Sequence, residues 1–203
     1  MKNKTIVLLS GGLDSAVLLA RCGQLGSPTQ ALSVNYGQRH LVELDHARSL
    51  ARKFGVQHHV VDLTAARACF RGSSQTSESV PVPHGHYADE SMRATVVPNR
   101  NMVLLALATA LAVAEGAQVV AYAAHAGDHA IYPDCRPEFM EAMERAMQLA
   151  NYEPVSLEAP LRGMTKAEIV ELGSCLGVPF ELTWSCYEGG RRHCGKCGTC
   201  VER

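Results

Sequence analysis

Aromatic residues make up only 5% of the 203-residue chain, and tryptophan occurs once. Neither sign of charge is in excess: 19 Lys and Arg against 20 Asp and Glu leave a formal net charge of -1. A chain with few stacking side chains and no cationic surplus is not built to grip a polyanion along its length, which argues against direct nucleic-acid binding. Long apolar runs are missing as well. The longest, Met102 to Ala114, contains Thr109 and stops at Glu115 and Gly116, short of the roughly 18 apolar residues of a membrane span. No apolar leader follows Met1-Lys2-Asn3-Lys4, so no secretory signal is expected. There is no internal repeat. What is present is a 47% hydrophobic, 19% charged composition, that of a globular cytoplasmic protein long enough to bury a core without disulfides.

Cysteine is the residue whose arrangement says most. Of the eight, Cys22, Cys69, Cys135 and Cys175 are scattered, whereas Cys186, Cys194, Cys197 and Cys200 crowd together. In a reducing compartment such a cluster reads as a metal site. Four thiolates satisfy tetrahedral Zn²⁺, and Gly195 and Gly198 let the chain bend around it. The same spacing also occurs around iron–sulfur clusters, the competing reading. A zinc ion with four sulfur ligands keeps no open position, so its role would be structural. Arg191, Arg192 and His193, between the ligands, read as a solvated basic loop or as contacts for an anionic substrate.

Apolar patterning alternates strand and helix. Ile6–Leu9, Ala31–Val34, Val56–Val61 and Gln118–Ala123 read as strands, the first as a continuous buried run. Helical spacing is expected over Asp14–Leu25, His40–Phe54, Asn99–Ala114, Pro137–Ala150 and Thr165–Leu176. The last opens on a capping box, Thr165-Lys166-Ala167-Glu168. The order predicts an α/β, doubly wound, mostly parallel sheet with ligands at the strand C-termini. Residues 1–180 form the catalytic domain in this reading, and 181–203 a zinc-binding tail packed on it. Residues 72–98 lack periodicity, which marks a functional or disordered loop.

Ser10-Gly11-Gly12-Leu13-Asp14-Ser15 follows the first strand and opens a helix. A helix start offers unpaired N–H groups to a phosphate. Gly11 and Gly12 allow close backbone approach, Ser10 and Ser15 add hydroxyls, and Asp14 suits Mg²⁺ or a neighbouring donor. The motif is neither a Walker A loop nor a dinucleotide fingerprint. It matches the S-G-G-x-D-S signature of the PP-loop ATP pyrophosphatases, which cleave ATP between the α and β phosphates and adenylate a substrate.

Together with Tyr36-Gly37-Gln38-Arg39-His40, Val97-Pro98-Asn99-Arg100-Asn101, Tyr132-Pro133-Asp134-Cys135-Arg136-Pro137-Glu138-Phe139, Lys166-Ala167-Glu168 and the four-cysteine tail, the loop makes the chain resemble the 7-cyano-7-deazaguanine (preQ0) synthase family over nearly its whole length. The resemblance implies an ATP-dependent ligase of queuosine biosynthesis that turns 7-carboxy-7-deazaguanine and ammonia into a nitrile through an adenylated carboxylate and an amide. It implies ATP, Mg²⁺ and Zn²⁺ as cofactors and a homodimer. The expected nucleotide site is Ser10, Gly11, Gly12, Leu13, Asp14, Ser15 and Tyr36. Asp14, Ser15, Lys166 and Arg100 would be catalytic, with Lys166 as a counter-charge for the phosphates. Arg100, Asp128, Tyr132, Asp134 and Arg136 would face the substrate. Arg100 and Arg136 compete for its carboxylate, and an internal ion pair or a cap before the Pro137 helix is the alternative role of Asp134 and Arg136. Cys135 reads as a buried small hydrophobe. His84 and His86, and likewise His125 and His129, lack convincing metal-ligand spacing. The length leaves no room for a glutaminase domain, so ammonia is expected free or from a partner. The alternatives are a relative that stops at the amide or conjugates the carboxylate to a protein amine, a zinc-ribbon nucleic-acid module, and a tRNA thiolase.

Overall fold

The computed structural model describes residues 3–86 and 90–203. Five parallel strands form one sheet: β1 (Thr5–Leu8), β2 (Thr29–Asn35), β3 (Gln57–Asp62), β4 (Val119–Ala121) and β5 (Ser156–Glu158). Their spatial order is β3-β2-β1-β4-β5. The chain thus winds outward one way from β1, then crosses back and winds the other way from β4. At that reversal the connections leave β1 and β4 on opposite faces, opening a crevice at their C-terminal ends.

Helices cover both faces. Successive strand residues point to opposite sides, so Ile6 and Val120 join one core layer and Val7 and Ala121 the other. The first layer packs on α3 (Arg100–Glu115) and α4 (Pro137–Leu149) through Leu105, Ala108, Met140 and Met147. The second packs on α1 (Leu13–Gln24), α2 (Val42–Phe54) and α5 (Lys166–Cys175) through Val17, Ala47, Leu50 and Ile169. The expected capping box forms: Glu168 N–H donates to Thr165 Oγ1 at 3.3 Å, and Thr165 N–H to Glu168 Oε2 at 2.7 Å. Such a cap is worth about 1 kcal/mol, and it fixes the direction in which Lys166 leaves the helix. No helix of the described residues is long and apolar enough to cross a membrane.

Two elements lie outside the sequence expectations. β5 is three residues long, too short for a period to declare itself. A last helix, α6 (Gly198–Glu202), follows the cysteine cluster. The segment 72–98, in which residues 87–89 lie outside the described set, is for the rest neither open nor patternless in space. Ser73, Ser74, Gln75, Met92 and Thr95 are fully buried. Side chains satisfy its backbone in place of a ladder: Gln75 N–H donates to Ser73 Oγ at 3.1 Å, and Gln75 Nε2 to the Thr95 carbonyl at 2.7 Å. Farther on, Gly85 N–H donates to the Lys196 carbonyl at 3.1 Å and His84 pairs with Cys197. The segment therefore spans from the core to the cysteine tail.

Candidate active site

The crevice is lined at one side by the loop after β1. Gly11 has φ 91°, and a Cβ there would lie 2.2 Å from the Glu43 carbonyl oxygen. Only glycine fits where the loop crosses the start of α2. Gly12 precedes α1 and brings no side-chain cap, so the first N–H groups of the helix are left for a ligand. Ser15 Oγ donates to the Gly12 carbonyl at 3.0 Å and lies 3.1 Å from Ser10 Oγ. Trp184 N–H donates to the Gly11 carbonyl at 2.9 Å, tying the loop to the chain that leads into the tail.

Lys166, at the first position of α5, reaches across to this loop. Its Nζ donates to Asp14 Oδ1 at 2.7 Å and Oδ2 at 2.8 Å. It also lies 3.4 Å from Glu202 Oε2 and 3.2 Å from His125 Nε2. Burial alone lowers the Lys166 pKa, but Asp14 and Glu202 more than offset it and hold the ammonium above its usual range. Glu202 shows the opposite balance, raised by burial despite the pull of Lys166. His125 sits on the short turn after β4, where its Nδ1 accepts the Gly127 N–H at 3.0 Å and its Nε2 faces Asp128 Oδ1 at 3.5 Å. Asp128 also accepts the His125 N–H, at 3.1 Å.

The other side of the crevice is aromatic and cationic. Arg100, the first residue of α3, donates to Gln75 Oε1 at 3.2 Å and stands 5.8 Å over the Tyr132 ring. Burial lowers its pKa, but Tyr36, Tyr187, Tyr132 and Asp134 outweigh that, so the guanidinium stays charged. Burial pushes the Tyr36 phenol up to about 12, which keeps it neutral. Tyr132 hydroxyl bridges Thr95 Oγ1 at 2.7 Å and Tyr187 hydroxyl at 3.3 Å. Cys135 also lines the crevice. Burial raises its thiol well above the ordinary range, and its sulfur accepts from Asn101 Nδ2 at 3.2 Å. It is a poor nucleophile.

Every residue expected in the nucleotide site except Gly11 lines this one cavity, and so do Lys166, Arg100, Asp128 and Tyr132. Gly11 supports the loop from behind. Asp134 and Arg136 do not line it. Asp134 Oδ2 accepts the Asn101 N–H at 2.9 Å, serving the start of α3. Arg136 is exposed at the start of α4, and its Nε donates to the His129 carbonyl at 3.0 Å. Asp134 thus serves α3 and not the helix that begins at Pro137, and the Arg136 side chain makes no cap hydrogen bond to α4. Gln75, Tyr187 and Glu202 line the cavity without having been singled out, and His125 only as a weak metal candidate. A residue after β4 at the switch point was the available signal for His125; Gln75 carries none.

The four cysteine sulfurs lie within 4.8 Å of one another, with Cys194 and Cys200 3.9 Å apart. A tetrahedral zinc with Zn–S bonds of about 2.3 Å separates its sulfurs by about 3.8 Å, so the cluster fits one ion. Thiolates on the separate irons of a cluster would stand farther apart. Burial raises the Cys194 thiol, but the N–H groups of Cys197 and Lys196, at 3.2 and 3.3 Å, outweigh it and bring the pKa down to about 7. Cys186 and Cys197 are fully buried with Val82 and Trp184. From this centre α6 carries Thr199 and Glu202 into the cavity wall.

The profile of queuosine biosynthesis protein QueC matches residues 4–203. The chain is 52% identical over 203 residues to the 7-cyano-7-deazaguanine synthase of Marinobacter nauticus, covering 100% of this chain and 91% of that protein. It is 51% identical over 201 residues to the enzyme of the same name from Hahella chejuensis, covering 99% and 87%. Among solved structures, NMN synthetase from Francisella tularensis superposes with a TM-score of 0.54 at 19% identity, over 95% of this chain and 69% of that one. A 4-thiouridine synthetase with RNA and bound ATP gives 0.57 at 21% identity, over 89% and 42%. These distant structures share the fold.

Proposed function

The chain belongs to the QueC family of queuosine biosynthesis proteins, and from that footing we propose that it is a 7-cyano-7-deazaguanine synthase acting through the crevice between β1 and β4. It joins 7-carboxy-7-deazaguanine to ammonia and carries the product on to the nitrile at the expense of ATP. A carboxylate resists ammonia because its oxygen is a poor leaving group. The carboxylate oxygen therefore attacks the α-phosphorus of ATP, and pyrophosphate leaves. Ammonia then adds to the acyl carbon, AMP departs with the oxygen, and a proton is lost to give the amide. The amide oxygen attacks a second ATP in the same way, and loss of AMP and of both amide N–H protons leaves the C≡N bond.

The chain's own groups divide this work. Ser10, Gly12, Leu13, Asp14 and Ser15 hold the phosphates at the start of α1, and Tyr36 flanks the nucleoside. Asp14 is the carboxylate placed to hold Mg²⁺, which would screen the triphosphate. Lys166 offsets charge on the departing pyrophosphate. Arg100 takes the substrate carboxylate, and Asp128 and Tyr132 take the deazaguanine. The tail, residues 181–203, holds Zn²⁺ in a structural site against the catalytic domain, residues 1–180. The observation that carries this reading is that one cavity joins a glycine-rich helix start and its Asp14–Lys166 pair to a tyrosine-framed arginine.

Carboxydeazaguanine, ammonia and ATP should give the nitrile with two AMP per product; amide as the sole product overturns the reading. Arg100→Met should raise KM for the carboxylate by about 10- to 100-fold, as expected for loss of a charged hydrogen-bonding pair. Arg136→Met should leave KM within about twofold, since an exposed substitution away from the site has little effect. We also propose a cytoplasmic homodimer. Its support is α3, which is apolar on nearly every side and exposes Met102 and Val113, where a helix facing water would carry a polar stripe. Light scattering at twice the 21.9 kDa chain mass checks it.

A further inference from the structure

Lys166 has two carboxylate partners, from opposite ends of the chain. Asp14 binds it with both oxygens, at 2.7 and 2.8 Å. Glu202, on α6 two residues beyond Cys200, stands 3.4 Å away. All three side chains are largely buried, with 17%, 26% and 20% exposure for Lys166, Asp14 and Glu202. The approach is built from both sides. A Cβ at Gly127 would lie 2.9 Å from the His125 ring and 3.5 Å from Glu202 Oε1. A side chain at 127 would crowd the His125 ring and come into ordinary contact with Glu202.

We infer that Glu202 is a positioning residue for Lys166, delivered to the adenylation pocket by the metal-bound tail; this rests on the adenylation reading above. In that reading Asp14 has two demands on it. Its oxygens hold Lys166, and they would also be needed by the Mg²⁺ that accompanies ATP. As Asp14 turns to the nucleotide, Lys166 loses its main anchor. A lysine stem has four freely rotating carbons, and without a second anchor its ammonium spreads over many positions. Glu202 supplies a charged anchor beside the neutral contact to His125 Nε2 at 3.2 Å, and a third ammonium proton is left for the leaving pyrophosphate. Its negative charge repels phosphates, so it contributes nothing to ATP affinity. Its benefit falls on the chemical step alone.

The test compares Glu202→Gln and Glu202→Asp with wild type and with Val201→Ala, an exposed neighbour on the same helix. The readouts are metal content, ATP binding by calorimetry, and AMP release with carboxydeazaguanine. Glu202→Gln should keep its metal and bind ATP as tightly as wild type or more so, while kcat falls about tenfold, the scale of a lost orienting contact. Glu202→Asp, which keeps the charge on a shorter stem, should recover part of the rate, and Val201→Ala all of it. A Gln variant with kcat within twofold of wild type overturns the inference. So does one that loses metal and ATP affinity together, because Glu202 would then be holding the tail and not the lysine. A wild-type chain that binds ATP and releases no AMP sinks the adenylation reading itself.

Discussion

Lys166→Met is expected to lower kcat for AMP formation by about 10³-fold, the upper range for removing one preorganised charge from a water-poor site. Methionine keeps the stem volume and removes the ammonium, so packing of α5 is preserved. The loss should appear in both activations, carboxylate and amide, because the same pyrophosphate leaves each time. ATP should still bind, held by the start of α1. The variant should also be less stable, because Asp14 and Glu202 are left facing each other without their shared cation. The sign of the pH dependence follows from the raised Lys166 pKa. The Lys166 side of the pairing is present in full below 10.5 and is lost as pH climbs through the higher folded value. Stopped-flow pyrophosphate release and thermal melts check both effects. A variant with more than about a tenth of wild-type kcat would remove Lys166 from the mechanism, since that leaves little of the expected charge effect.

The second large effect concerns the metal. Stripping zinc with a chelator, or Cys197→Ser, should abolish activity while leaving the sheet folded. Cys197 is fully buried beside Val82, Trp184 and Cys186, so a serine there both breaks the ligand set and places a hydroxyl among apolar groups. The damage does not stay in the tail. Trp184 N–H holds Gly11, α6 carries Thr199 and Glu202, and His84 pairs with Cys197. Loss of the metal therefore loosens the phosphate loop and one wall of the cavity together. The two core layers are separate clusters and should survive. A fall of about 10 °C in Tm is expected, since each 1 kcal/mol moves a chain of this size by about 2–4 °C. Metal analysis, circular dichroism and AMP release measure the three parts. Full activity in metal-free protein would reduce the four cysteines to ordinary packing.

Features that work through neighbours in sequence were legible before the fold. The phosphate loop, the Thr165 capping box and the cysteine spacing each carry their physics within a few residues. Arg100 and Arg136 show the limit. Both stand at helix starts in motif-like blocks, and only the placement of the start of α3 at the crevice and of the start of α4 at the surface separates them. Gln75 lies in a serine-rich stretch that reads as loop; its burial depends on Thr95 and Arg100, 20 and 25 residues away. Glu202 carries no signal in its neighbours, because nothing local says that α6 turns it back toward Lys166. β5 went unread because its three residues are held by the edge of β4 and not by a pattern of their own.

The pairing of Asp14 with Lys166 joins residues 152 apart, and Glu202 lies farther along still. Contacts of such span are slow to close in a folding chain, because loop-closure entropy must be met before they form. Catalytic competence is thus withheld until nearly the entire chain has found its place. In the proposed mechanism, a molecule whose C-terminal elements have not docked lacks Lys166, Glu202 and the Trp184 tie to the phosphate loop, and so cannot spend ATP.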